Sequence, residues 1–369
     1  MSKDLICGNL GKLPAEENIM LNWFLGLFSE DLGIDLGTAN TLVLVKGKGI
    51  VIREPTVIAQ HKKTKDILAI GAEAKKMVGR TPASIVAVRP LKDGAISDFE
   101  VTSSMLSYFI NKVHQTPNNS FWKIPRPQVV IGIPSGVTEV ERRAVADAVV
   151  EAGARRAYLI EQPMAAAIGV GLPVAEATGS AIVDIGGGTT EIAVISLGGI
   201  VVGKSLRIAG DKMDAEIISY VRTRYNVLMG ERTAEEAKIT IGNAHSSLPE
   251  KELVVSGRDL ETGLPKAIKL TSSQVREAIM PILNQITQAI AETIEDTPPE
   301  LLADIAKSRI VLAGGGAKLP GLAKFLANEI KLPVAEADDP QSAVVLGTGR
   351  VLEDLELLER VRIESRFPI

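Results

Sequence analysis

The sequence predicts an α/β fold made of two related domains, and three loops carry that prediction. In the first, Ile34-Asp35-Leu36-Gly37-Thr38-Ala39-Asn40-Thr41 runs into the apolar stretch Leu42-Val43-Leu44-Val45. In the second, Ala181-Ile182-Val183 leads into Asp184-Ile185-Gly186-Gly187-Gly188-Thr189-Thr190-Glu191, and Ile192-Ala193-Val194-Ile195 leads out. Short runs rich in β-branched residues read as strands, so each of these stretches is a strand, a tight loop and a second strand. The third loop, Gly314-Gly315-Gly316-Ala317, follows the strand-like Ile310-Val311-Leu312-Ala313 and precedes a helix. That is the arrangement expected at a nucleotide-binding edge of an α/β sheet.

The chemistry of the second loop points to phosphate. Consecutive glycines let the backbone take left-handed φ and come close to a ligand. The hydroxyls of Thr189 and Thr190 add donors to the N–H groups of the turn, and such a concavity suits an anion. Asp184, at the strand end, is placed to hold a phosphate-bound Mg²⁺ through water. The bland alternative is a plain β-hairpin, for which Gly-Gly is good turn chemistry. A short glycine motif alone decides little. The pairing decides more: two loops of one grammar, one in each half, suggest a duplicated domain clamping a single polyphosphate from both sides.

Composition bounds the rest. A chain of 369 residues is long enough for two domains with substantial cores, and 46% apolar with 23% charged residues is ordinary for a globular protein. A net charge of −4 gives no global electrostatic reason to expect nucleic acid. Cys7 is the only cysteine, which excludes an internal disulfide and a cysteine-rich zinc site and fits a reducing cytoplasm. The three histidines, His61, His114 and His245, have no metal-ligand spacing. No apolar run reaches the ~18 residues of a membrane span. The run after Met20 lacks the cationic flank and small-residue cleavage site of a secretory signal.

Along the chain, residues 1–19 read as a disordered extension, and Met20 is a candidate native start. Leu21-Asn22-Trp23-Phe24-Leu25-Gly26-Leu27-Phe28 is too short to span but suits an interfacial anchor, with a core element as the alternative. Residues 47–98 carry short strands and a solvated Lys62-Lys63-Lys65 loop, which suggests a small inserted subdomain. Met105, Phe109 and Val113 mark a helix. Phe121 and Trp122 stand out in a proline- and asparagine-rich loop; they either tuck into the core or form an exposed patch alongside Trp23 and Phe24.

After a buried strand at 129–134, a helix is expected from about Glu139 to Ala152, stopped by Gly153. A strand at 158–160 delivers Glu161-Gln162-Pro163, and the small-residue helix Met164–Ile168 permits close packing. Gly198–Ser205 matches the expression GxxxxGK[ST], but β-branched residues fill the would-be loop, so it reads as a hairpin and strand. Helices are expected over 211–228 and 233–241, and strands near 252–255 and 267–270. A long helix from a Thr271 cap to Glu295 follows, then helices opened by Pro298-Pro299, after Pro320 and at Asp339-Pro340.

Taken together, these loops and their contexts resemble the actin-like ATPase superfamily of actin, heat-shock chaperones and sugar kinases, and within it the MreB family of bacterial actins. The residues that carry the resemblance are 34–41, 47–55, 80–82, 93–99, 160–173, 184–191, 233–238 and 312–317. The resemblance implies two α/β domains, each with a smaller subdomain, closing on ATP and Mg²⁺. The first would comprise 20–53, 98–166 and 340–369 with subdomain 54–97; the second, 167–206 and 272–339 with subdomain 207–271. Thr38, Ala39 and Asn40 would form one phosphate loop and Gly186, Gly187, Gly188 and Thr189 the other. Glu235, Glu236, Ala237 and Lys238 would line the adenosine, although Glu236 stands where the family usually carries Arg, and Gly314, Gly315, Gly316 and Ala317 would form the remaining nucleotide loop.

By the same resemblance, Asp35 and Asp184 would organise the metal, and Thr189 would hold the attacking water. Gln162 occupies the place of a family glutamate that polarises that water, with Glu161 one position earlier; this puts the hydrolysis rate in question, not binding. The implied function is an ATP-dependent filament on the inner face of the cell membrane that organises wall synthesis and rod shape. Trp23, Phe24, Leu27, Phe28, Phe121 and Trp122 would be its lipid contacts, and MreC, MreD, RodZ and wall-synthesis enzymes its partners. The rival reading, a small-molecule kinase on the same fold, needs a general base and a second pocket, and the sequence shows a motif for neither.

Overall fold

The computed structural model describes residues 29–114 and 126–363. Lobe I begins with the meander β1 (Leu32–Leu36), β2 (Asn40–Val45) and β3 (Gly49–Pro55). An excursion follows: β4 (Ile58–His61), β5 (Ile67–Ile70), α1 (Ala72–Met77), β6 (Ile85–Val88) and the hairpin β7 (Leu91–Lys92) and β8 (Ala95–Ile96). The chain returns through α2 (Phe99–His114), β9 (Gln128–Ile133), α3 (Glu139–Glu151), β10 (Arg156–Glu161) and α4 (Gln162–Gly169).

Lobe II opens with β11 (Ser180–Ile185), β12 (Thr190–Ser196) and β13 (Gly199–Leu206). Its own excursion holds α5 (Gly210–Tyr225), β14 (Val227–Leu228), α6 (Glu231–Ile241), β15 (Glu252–Asp259) and β16 (Pro265–Thr271). It closes with α7 (Ser272–Glu295), α8 (Pro299–Ser308), β17 (Ile310–Ala313), α9 (Leu322–Ile330) and β18 (Val334–Glu336), before α10 (Ala343–Glu353) and α11 (Leu355–Val361).

The duplication is visible in the sheets. Lobe I has the order β10-β9-β1-β2-β3 and lobe II the order β18-β17-β11-β12-β13. In each, a central strand pairs antiparallel with the next strand in sequence and parallel with a later one. Every residue of β11 and β12 is buried, which explains their unbroken apolar runs. In lobe I, Met105, Leu106 and Phe109 of α2 are wholly buried against the sheet, each stabilising by roughly 1.5–3 kcal/mol relative to exposure. Helices α4 and α10 cross at the base of the two lobes. A Cβ on Gly169 would overlap the Ala343 carbonyl, and one on Gly347 the Ala165 carbonyl. Only small residues allow that crossing.

Several local expectations are refined. The helix expected over 211–228 stops at Tyr225, because Asn226 turns left-handed (φ 56°) and the next two residues pair with β15 instead. The GxxxxGK[ST] match lies in the β12–β13 hairpin, as its β-branched residues require. Thr271 caps α7 in a box with Gln274. Helix α1 is too short to show a helical period in the sequence. The stretches bearing Trp23, Phe24, Leu27 and Phe28, and Phe121 and Trp122, lie outside the described residues. Among those described, no helix is long and apolar enough to cross a membrane.

Candidate functional site

The β1–β2 and β11–β12 loops face each other across a cleft of about 540 Å³ between the lobes. That is the size of a small-molecule site. Asp35, Thr38, Ala39 and Asn40 line it from lobe I, and Asp184, Gly186, Gly187, Gly188 and Thr189 from lobe II. The first loop is braced by Thr56, whose hydroxyl donates to the Gly37 carbonyl at 2.7 Å and whose N–H donates to Ala39 at 3.0 Å. The second is braced by α5: the Gly210 and Asp211 amides donate to the carbonyls of Gly186 and Gly187 at 3.2 and 2.8 Å.

The glycines of the second loop do not serve the purpose the sequence suggested. None of Gly186, Gly187 and Gly188 has a positive φ. Their need is steric. A Cβ on Gly187 would lie 2.7 Å from the Ala39 Cβ, and one on Gly188 2.6 Å from the Thr38 Oγ1. The lobes can close this far only because neither loop residue carries a side chain. Gly314 is the one that uses left-handed φ (80°), and a Cβ there would also strike Asp184 and the Ile185 carbonyl.

Two acids sit at the cleft floor. Burial pushes the Asp35 carboxyl up to about 7, partly offset by the Gln162 amide, which donates to Asp35 Oδ1 at 3.5 Å. Burial first, then the charges of Asp35 and Glu191, raises Asp184 well above the usual carboxylate range. Carboxylates that are costly to ionise in place suit a divalent cation, which would favour their charged forms. Among the described residues no group of three or more His, Cys, Asp or Glu is clustered as metal donors. A Mg²⁺ held by Asp35 and Asp184 would therefore complete its shell with phosphate oxygens and water.

Gln162 and Thr189 both line the cleft, whereas Glu161 does not: its carboxylate accepts from the Ser135 hydroxyl at 3.3 Å. At the other end, α6 presents Glu235, Lys238 and Ile239, spaced to share one face. Glu236 is exposed off that face, and Ala237 is buried in the core of lobe II. Gly314, Gly315 and Gly316 line the cleft, while Ala317 is turned into the same core. Lys238 donates to the Gly210 carbonyl at 2.8 Å and to Asp214 at 2.9 Å.

Sequence reasoning missed Asp211, Asp214, Gln341 and Gly94 in the lining. Gly94 sits between Thr189 and Pro134 and donates its N–H to Thr38 Oγ1 at 3.3 Å. The Asp93-Gly94 pair, a strong hairpin signal, was the available clue.

Behind the second loop, Glu191 accepts from Ser205 at 2.7 Å and from the Ser135 amide of lobe I at 3.2 Å. Burial pushes its carboxyl from 4.5 up to about 7, against those hydrogen bonds. A raised carboxyl favours the folded state when protonated, so its contribution is complete at acid pH and is lost as pH rises through about 7. The ligand-free protein should therefore lose stability from about pH 5 to pH 8, and Glu191→Gln should remove on the order of 3 kcal/mol of that slope. Chemical denaturation of both proteins across this range checks it; parallel profiles would place Glu191 outside the titration.

Known proteins share the sequence and fold of this chain. A family model described as MreB/Mbl protein matches residues 29–360. The cell shape-determining protein MreB of Escherichia coli (strain K12) is 50% identical over 342 residues, covering 92% of this chain and 97% of that protein. The cell shape-determining protein Mbl of Bacillus subtilis (strain 168) is 46% identical over 337 residues, covering 91% and 100%. Among solved structures, MreB 5 of Spiroplasma citri bound to AMPPNP superposes with a TM-score of 0.83 at 36% identity, covering 89% and 97%. The MamK double helical filament does so at 0.73 and 21% identity, covering 88% and 99%, a likeness of fold alone. The fold is the actin-like one that the sequence predicted, and the chain belongs to the MreB/Mbl protein family.

Proposed function

We propose that this protein is an ATP-dependent cytoskeletal filament subunit that lies on the inner face of the cell membrane and organises wall synthesis and rod shape. The observation that carries the reading is the pair of loops pinching one cleft, with Gly187 and Gly188 against Ala39 and Thr38. A polyphosphate placed there would meet loop N–H groups and threonine hydroxyls from both lobes, so its binding and lobe closure are one event. The relatives named as cell shape-determining proteins and the AMPPNP-bound neighbour support it. They give no support to a small-molecule kinase.

Within that reading, Thr38, Ala39, Asn40 and Gly186–Thr189 bind the phosphates, and Glu235, Lys238 and Gly314–Gly316 bind the nucleoside. Mg²⁺ at Asp35 and Asp184 would supply charge neutralisation on the phosphates. Thr189 and Gln162 position a water, so turnover is slow and depends on lobe closure. Sedimentation with and without Mg-ATP tests the core claim: nucleotide-dependent pelleting is expected, and a chain that stays soluble in both overturns the filament reading.

Membrane attachment has a structural support of its own. Ser29 and Glu30 follow segment 1–28, and His114 and Arg126 flank segment 115–125. These four residues meet: the Glu30 amide donates to His114 Nε2 at 3.3 Å and the Arg126 amide to Ser29 Oγ at 3.1 Å. The described residues that border the two aromatic segments thus lie together at one corner of lobe I, which supports a reading in which both segments meet one lipid surface. Many weak contacts along a polymer sum to firm attachment. Phe121→Ser with Trp122→Ser should release filaments from liposomes in flotation while pelleting persists. Loss of the folded circular dichroism signal would assign the pair to the core instead. Self-association and lipid are the first partners of this reading, and MreC, MreD, RodZ and wall-synthesis enzymes are the further ones.

A further inference from the structure

We propose that three ion pairs across the mouth of the cleft form an electrostatic clasp that gates exchange of the nucleotide; this rests on the nucleotide reading of the cleft. Lys75 of α1 reaches Glu235 of α6 at 2.9 Å. Arg89, just after β6, reaches Asp211 of α5 at 3.1 Å and Glu231 at 3.7 Å. Both cations belong to the excursion of lobe I and all three acids to lobe II. Asp211 and Glu235 themselves line the cavity, so the clasp closes on the wall of the site.

The charge balance says why such a clasp matters here. The rim of lobe II gathers Asp211, Asp214, Glu231 and Glu235 around Lys238, which is already committed to Asp214 and the Gly210 carbonyl. A polyanion meets repulsion at such a rim when the mouth is open. Closure brings Lys75 and Arg89 onto the same acids and cancels that repulsion, so the closed mouth retains the ligand better than the open one. The crossing of α4 and α10 holds the lobes at the base, where the glycines leave no slack. The mouth is where opening can occur.

The strength of the clasp suits a gate. Lys75 and Glu235 are 38% and 30% exposed, and Arg89 and Asp211 40% and 33%. Pairs this accessible to water are individually weak and are screened by salt. They bias the mouth towards closure without locking it, and nucleotide release should quicken as ionic strength rises.

Release of a fluorescent ADP from the full-length chain, chased with unlabelled ADP at low and high salt, tests this. Lys75→Glu and Arg89→Glu, at two positions that do not line the cavity, should each speed release by roughly 3–10-fold and blunt its salt dependence. Lys75→Arg keeps the charge and should release as wild type. A second measurement needs no nucleotide: spin labels on cysteines at the exposed positions Lys76 and Arg232, in a Cys7→Ser background, report the width of the mouth. The distance distribution should broaden in each charge reversal and stay narrow in Lys75→Arg. Release within twofold of wild type in both reversals, or Lys75→Arg releasing as fast as Lys75→Glu, overturns the gate. A wild-type chain that binds no fluorescent ADP refutes the nucleotide reading, and a mouth that is equally narrow in every variant then refutes the clasp separately.

Discussion

Gly187→Ala should lower the affinity for Mg-ATP by about 100-fold or more while leaving the lobes folded. The added methyl would stand 2.7 Å from the Ala39 Cβ and 3.2 Å from the Ala39 backbone nitrogen. Neither is the tip of a flexible side chain, so the strain is relieved only by moving one loop away from the other. Displacing a binding constellation by about 1 Å can cost around 10²-fold. The effect should be specific to the facing pair. Ala39→Gly in the same chain removes the opposing methyl and should recover part of the loss. Gly230→Ala, where an added Cβ meets nothing within 4 Å, should bind as wild type. Titration calorimetry in magnesium buffer, with a melting curve for each variant, gives the answer. Wild-type affinity in Gly187→Ala would mean that the loops do not close on a common ligand.

That glycine also shows how far a sequence can be read. Gly186–Gly188 could be picked out as a candidate phosphate loop from local grammar, and so could the paired loop at Asp35–Thr41, because a strand, an acid, glycines and hydroxyls lie within one short stretch. The reason for the glycines could not, since Ala39 is remote in the chain and the contact exists only after the lobes pack. The duplicated sheets were legible for the same local reason: β1–β3 and β11–β13 are meanders of neighbouring strands.

What depends on a partner elsewhere was hidden. Lys75 and Arg89 look like solvated charges until Glu235 and Asp211 are brought to them. Asp211 and Asp214 read as the ordinary acidic start of a helix until α5 docks on the glycine loop. Of four adjacent residues offered for the nucleoside, Glu235 and Lys238 line the cleft and Glu236 and Ala237 do not, because a helix turns only one face inward.

Gln162→Glu should raise the rate of phosphate release, by about 10–100-fold if proton acceptance contributes at the lower end of general-base effects. The wild-type amide can orient a water through its carbonyl oxygen but cannot take its proton, and orientation by glutamine alone sustains only slow turnover. The structure adds a pH signature. Gln162 donates to Asp35 at the buried cleft floor. Replacing the amide places a new carboxyl there; with a cation at Asp35 keeping that carboxylate charged, its charge and the burial of the floor hold the new carboxyl protonated to higher pH. A general base acts only when ionised, so the gain should be small near pH 6 and grow through about pH 8. The wild-type rate should lack this limb. Gln162→Ala loses orientation too, and should nearly abolish turnover while keeping nucleotide-dependent assembly. Phosphate release from all three proteins, followed across pH above and below the assembly threshold, separates the cases. Equal rates would mean that Gln162 does not face the terminal phosphate. A pH-independent gain would mean that the new carboxyl acts through charge and not as a base.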